Sequence, residues 1–195
     1  RWEDWQTSRA GYGRSGRFSG GVREKGKNFY GVSTLFYFGN VKTLTLRGVT
    51  IARAGAFAVQ CGDAEDVIVE DVEFDGCFAA GFHCNGNVRN VLARNVRGDV
   101  GDDLVALNSD EGNWRSPSND IVNVTIDGLY AGDDGYTAVR LLSRNAHVRN
   151  IVIRNVYAED CHCLVRLLRA YSDIRDVTIE KCAAGCRYNA INGDD

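Results

Sequence analysis

A short apolar pattern recurs along most of this chain and leaves few folds open to it. The pattern runs apolar, two residues, apolar, one residue, apolar, two residues, apolar. It reads Val41-Leu44-Leu46-Val49, Val88-Val91-Ala93-Val96, Ile121-Val124-Ile126-Leu129, Val148-Ile151-Ile153-Val156 and Ile174-Val177-Ile179-Cys182. A weaker copy begins at Ala64 and continues with Val67, Val69 and Val72. The copies start at residues 41, 64, 88, 121, 148 and 174, so the intervals are 23, 24, 33, 27 and 26 residues. Units of that length, each too small to bury its own apolar face, must stack on one another to make a core.

No segment sustains a 3.6-residue apolar period over several turns, which argues against helices. Leucine-rich repeats share the spacing, but here Val, Ile and Asn stand where they carry regular Leu. Each unit reads instead as three short strands, in the fourth unit about residues 122–126, 129–131 and 137–142. The expectation is an all-β fold, a right-handed parallel β-helix (solenoid) of about six coils of 23 to 33 residues, with successive coils about 4.8 Å apart. Arg-Asn pairs recur at its turns (Arg89-Asn90, Arg94-Asn95, Arg149-Asn150, Arg154-Asn155), where stacked Asn side chains can bond along the ladder.

Residues 1–40 lack the pattern and form a loop-rich N-terminal segment, with a buried strand expected over Val32 to Phe38. Residues 41–195 are the β-helix domain. Arg9 to Lys27 is rich in Gly, Ser, Arg and Lys, reading as surface loop or as a basic flap near an acidic substrate. The 33-residue interval carries an insertion, roughly Asp110 to Asn119, with Trp114 and the sole proline, Pro117. Insertions in solenoids become loops on one face, often the binding face. Trp114 is a candidate sugar-stacking platform or the anchor of that loop.

The net charge of -3 argues against a general nucleic-acid binder. Four of the 23 basic residues are Lys and 19 are Arg, which favours planar contacts with carboxylates or phosphates. No apolar run is long enough to span a membrane, and no signal peptide is visible, so localisation is left open. A chain that starts at Arg1 and contains no Met reads as processed or as part of a longer one. The seven Cys form no zinc-type pairing of pairs. Buried free thiols are expected ahead of disulfides, and a metal site last.

Aligning the third strands of successive units brings Ala80-Gly81-Phe82-His83-Cys84 beside Asp102-Asp103-Leu104-Val105-Ala106. Next come Tyr136-Thr137-Ala138-Val139-Arg140 and His162-Cys163-Leu164-Val165-Arg166. Alternation points Arg140 and Arg166 outward and Val139, Leu141, Val165 and Leu167 inward. Two stacked guanidinium groups call for an anion between them: Asp102, Asp103 or the carboxylate of a substrate.

Gly101-Asp102-Asp103-Leu104-Val105-Ala106-Leu107-Asn108, Ala138-Val139-Arg140-Leu141-Leu142-Ser143 and the coil rhythm together resemble glycoside hydrolase family 28. The resemblance to this polygalacturonase group, and to related proteins of the pectin-lyase-like superfamily, covers about residues 28–195. It implies a catalytic Asp pair, Asp102 and Asp103, in inverting hydrolysis. One carboxylic acid protonates the leaving oxygen while carboxylates activate water on the opposite face. The family's preceding Asp is replaced by Ala80, and the His of its Gly-His-Gly motif by Tyr136 in Gly135-Tyr136-Thr137. Its Arg-Ile-Lys motif has no clean counterpart, Arg140 or Arg166 being available as the cation.

These readings converge on a hydrolase-like protein for an acidic, pectin-type polysaccharide, with a degenerate catalytic motif. Asp102 and Asp103 are the candidate catalytic residues. His83, Tyr136, Arg140, Arg166 and Trp114 are the candidate substrate contacts. Neither metal nor cofactor is expected. The alternatives are a non-catalytic carbohydrate-binding or tailspike-like β-helix and, after it, a lyase or epimerase. The expected partners are a polysaccharide or oligosaccharide, with no nucleic acid and no membrane. Secretion or a cell-surface place is what the resemblance implies. Open solenoid ends further predict self-association or capping by additional coils.

Overall fold

A computed structural model describes residues 34–54, 57–109, 119–133, 135–169, 172–186 and 191–194. Over these residues the chain is all β, with parallel strands stacked into a β-solenoid of about 5 turns, a parallel β-helix. The strands are β1 (Phe36–Ala52), β2 (Val59–Cys77), β3 (Phe82–Asn85), β4 (Val88–Val100), β5 (Asp103–Ser109) and β6 (Ile121–Asp133). They continue as β7 (Thr137–Ser143), β8 (Val148–Cys161), β9 (Cys163–Arg169), β10 (Ile174–Cys186) and β11 (Ile191–Asp194).

Two ladders run the length of the solenoid. One stacks β1, β2, β4, β6, β8 and β10; the other runs from the start of β2 through β3, β5, β7, β9 and β11. The sequence repeat sets the first ladder in register, with Val67, Val91, Val124, Ile151 and Val177 on one rung and Val69, Ala93, Ile126, Ile153 and Ile179 on the next. These inward positions are fully buried in the middle coils and only half-buried in β1 and β10, each of which has one neighbour in this ladder among the described residues.

The first two short strands expected in each unit are continuous here, as in β6, because the bends along them are single residues with φ > 0, while the third stays separate, as in β7. Asp66, Asn90, Asn123, Asn150 and Asp176 share one bend (φ 54–60°, with Asn123 at 60°), and Asp71, Asn95, Gly128, Asn155 and Lys181 share the next. Asn and Asp tolerate this left-handed conformation better than other side chains. Their side chains also bond along the stack: Asn90 Nδ2 donates to Asp66 at 2.9 Å, Asn123 to Asn90 at 3.1 Å, and Asn150 to Asn123 at 2.6 Å. The expected Asn ladder is thus the corner of the helix.

A second row, Arg47, Glu70, Arg94, Asp127, Arg154 and Glu180, alternates in charge from one coil to the next. Arg94 Nε donates to Glu70 at 2.6 Å and Arg154 Nη2 to Asp127 at 2.8 Å. Hydrogen bonds from Arg94, then Arg47, hold the Glu70 carboxyl below its ordinary range. Bonds from Arg154 and Asn155 do the same for Asp127.

Two expectations change. Phe36 and Tyr37, part of the strand expected to be buried, are exposed, because β1 lies at the end of the stack; Val32 lies outside the described residues. The third strand of the second unit also sits one residue from its expected register. Phe82 pairs with Val105 rather than Leu104, and His83 with Ala106. The offset between these coils falls from 24 residues at Phe74 and Gly98 to 23 at Cys77 and Val100, around left-handed Gly76, and stays at 23 through β3, whereas the expected pairing needs 22.

None of the seven cysteines is joined in a disulfide. Cys61, Cys77, Cys84, Cys161 and Cys163 are buried. Burial, followed by the bond to Cys186, pushes the Cys161 thiol up to about 12.

Candidate functional site

The outer face of β3, β5, β7 and β9 collects most of the residues singled out in the sequence. His83, Ala106, Arg140 and Arg166 occupy one rung, one per coil. Their neighbours Val139, Leu141 and Val165 point into the core and are fully buried, as alternation requires. Arg140 and Arg166 are therefore stacked, each half-buried.

Each guanidinium has a different partner. Arg140 Nε lies 3.0 Å from Oδ2 of Asp103, whose side chain has no solvent exposure. The same Nε lies 3.3 Å from Asn108 Oδ1. Arg166 stacks over the ring of Tyr136, its Cζ 5.1 Å from the centroid, and bonds the Tyr136 hydroxyl. Tyr136 in turn stacks on His162, with centroids 4.7 Å apart and planes at 18°. Asp103 is thus the carboxylate that answers Arg140, while an aromatic face supports Arg166.

The polar chain continues inward. Arginine has no acceptor, so Asn108 must turn its carbonyl toward Arg140 and its amide nitrogen away. That nitrogen lies 2.8 Å from His83 Nε2, so Nε2 accepts and the His83 proton sits on Nδ1. The His83 ring packs against Phe57 at 4.0 Å and is 1% exposed. His83 therefore orders the network beneath the surface, and direct contact with a ligand would need that cover to move.

The two adjacent carboxylates differ. Asp103 is sealed under Arg140, whereas Asp102 is half-buried at the mouth of β5. Gly101 makes that entry possible: its N–H donates to Cys77 O at 2.9 Å, and a Cβ there would stand 2.2 Å from Phe78 O. In the coil before, Ala80 packs with Phe57, Phe78 and Ala79 in a small apolar cluster. An apolar patch occupies the place where the resemblance implies a third carboxylate.

Trp114 lies outside the described residues. His162 and Asn108 belong to the site but were not singled out. His162 had a legible signal, since it falls one coil after Tyr136 on the same strand position. Asn108 had none beyond its place in the Asp-pair segment. A surface cleft of ≈ 320 Å³ lies elsewhere, lined by Arg89, Asp120, Asn123 and Arg149 among others, and none of the expected site residues borders it. Among the described residues no group of three or more His, Cys, Asp or Glu is placed to hold a metal ion.

Compared with known proteins, the chain matches no family model and no curated protein.

Proposed function

We propose that this β-helix acts on an acidic, pectin-type polysaccharide laid across the outer face of β5, β7 and β9, as a glycoside hydrolase-like protein. The observation that carries the reading is the contrast between Asp102 and Asp103. Neighbouring carboxylates in different surroundings take different roles in acid–base chemistry. Asp103 is buried against the Arg140 guanidinium, 3.0 Å from its Nε. Asp102, half-buried at the strand mouth, would be the carboxyl that meets a glycosidic oxygen. Arg140 and Arg166, stacked at the coil spacing, suit carboxylates repeated along a uronate chain, and Tyr136 with His162 offers an aromatic edge for sugar faces.

A second reading, a non-catalytic carbohydrate-binding β-helix, is favoured by one specific feature. Inversion needs a second carboxylate that reaches water, and here the Ala80 cluster and the sealed Asp103 leave Asp102 as the accessible member of the pair. The experiment is release of reducing ends from polygalacturonate and rhamnogalacturonan, with Asp102→Asn alongside. Release lost in Asp102→Asn supports hydrolysis. No release, with retardation on polygalacturonate gels that Arg166→Ala abolishes, supports the binding reading. Neither release nor retardation would overturn both.

A further inference from the structure

We infer that the cleft between Arg89 and Arg149 is a second binding site, which takes the carboxylate of a uronate unit. It stands apart from Asp102 and Asp103, neither of which borders it. The cleft measures ≈ 320 Å³ and is lined by Arg89, Val122 and Arg149 together with Asn87, Asn123 and Asp120. Its origin lies in the register of the first ladder. Arg89, Val122 and Arg149 hold one outward position in β4, β6 and β8, one per coil. Lys42, Glu65 and Arg89 lead up to Val122 in the same column, alternating in charge. An acid would continue that series, and a short apolar side chain stands there instead.

Another column of this solenoid has the acid in place. Arg47, Glu70 and Arg94 stack on successive coils. Glu70 Oε2 accepts from Arg47 Nε at 2.5 Å, and Oε1 accepts from Arg94 Nε at 2.6 Å. One carboxylate between two guanidinium groups thus serves both. Arg89 and Arg149 keep the same two-coil separation, about 10 Å, with a cleft where Glu70 would be. Arg89 is exposed and joins no ion pair among the described residues. Arg149 Nη2 lies 3.2 Å from Asp120 Oδ2, a contact that uses a single N–H of a group that has several.

The lining selects the ligand. Arg89 and Arg149 bring two positive charges and Asp120 one negative, which leaves one positive charge for the ligand to balance. A single carboxylate does so, whereas a doubly charged phosphate would meet repulsion from Asp120. The Asn87 amide can donate and accept, and Asp120 can accept, which suits hydroxyl groups. Val122 gives an apolar floor for the C–H face of a ring. The identity of the acid as a uronate rests on the proposed function; the carboxylate site does not.

NMR titration of the whole isotope-labelled chain provides the test. D-galacturonate should shift the backbone amides of Arg89, Asn90, Val122 and Asn123, and D-galactose, which lacks the carboxylate, should leave them in place. Arg89→Gln, at an exposed position, should weaken galacturonate about tenfold. Val122→Glu should abolish its binding and raise the urea midpoint, because the chain's own carboxylate then lies between the two guanidinium groups. Unchanged circular dichroism confirms that each variant folds. Unmoved amides, or galactose binding as well as galacturonate, would overturn the inference. So would tighter binding of inorganic phosphate, or galacturonate binding undiminished in Val122→Glu. Reducing-end release or gel retardation without galacturonate at the cleft would overturn this site and leave the proposed function standing. Galacturonate at the cleft, lost in Arg89→Gln, would uphold the site even where the chain neither cleaves nor retains polygalacturonate.

Discussion

Arg140 and Asp103 form a buried ion pair between neighbouring coils, with Nε 3.0 Å from Oδ2 and no solvent exposure for the carboxylate. Removing one partner of such a pair strands the other charge away from water, at a cost of about 3–5 kcal/mol. Arg140→Met should therefore lower stability by that order in urea denaturation. Asp103→Asn, which keeps the shape and loses the charge, should cost less because Arg140 is half-buried and can turn toward water. The double variant should be less destabilised than the sum of the singles. Equal, additive losses would mean that the two side chains do not couple.

The same pair depends on a backbone contact that only glycine permits. A methyl at Gly101 would lie 2.2 Å from the carbonyl oxygen of Phe78. Backbone must shift to relieve that overlap, so Gly101→Ala should destabilise the chain by about 1–3 kcal/mol, read as a lower thermal midpoint. It should also weaken whatever polysaccharide action or retention the wild-type chain displays, because it moves Asp102 and Asp103 together. An unchanged midpoint would show that the approach is loose.

The corner ladder makes an ordered prediction at Asn123, which has φ 60°, donates to Asn90 and accepts from Asn150. Asn123→Gly keeps the conformation and loses the side-chain bonds. Asn123→Ala loses the bonds and adds a left-handed strain of about 1–2 kcal/mol. Urea midpoints should therefore fall in the order wild type, Gly, Ala. Alanine at or above glycine would assign the asparagine's value to something other than backbone conformation.

The coil rhythm was legible because inward positions repeat in chemistry as well as spacing: Val91, Val124 and Ile151 are interchangeable to a core that asks only for apolar bulk. The placing of Arg140 above Val139 and Leu141 was legible for the same reason, since alternation on a strand is strict. The register of β3 was not. Leu104 and Val105 are consecutive and both apolar, so pattern alone could not choose Phe82's neighbour. Nor could the sequence distinguish Asp102 from Asp103. Their difference arises from Arg140, 37 residues beyond Asp103 in the chain, reaching back across one coil. The alternating row from Arg47 to Glu180 was visible in principle, but only once the units were set in register and read outward.

That row should leave a mark on acid stability. Arg94 and Arg47 lower the folded pKa of Glu70 from its ordinary 4.5, and Arg154 and Asn155 lower that of Asp127 from 3.8. A carboxyl whose folded pKa is depressed lends stability above its unfolded value and loses it as pH falls through the folded one. Unfolding free energy should thus decline as pH drops below about 4.5, and Glu70→Gln should flatten part of that decline while lowering stability at neutral pH. At the alkaline end the sign reverses. Cys161, raised from 9.0 to about 12 by burial and by Cys186, stays a thiol in the folded chain while the unfolded chain ionises. Stability should fall as pH climbs from 9 toward 12, and Cys161→Ala should remove that part of the slope. Denaturation curves collected across both ranges would check the two signs in one series, and an acid limb unchanged in Glu70→Gln would show that the row carries no linked charge.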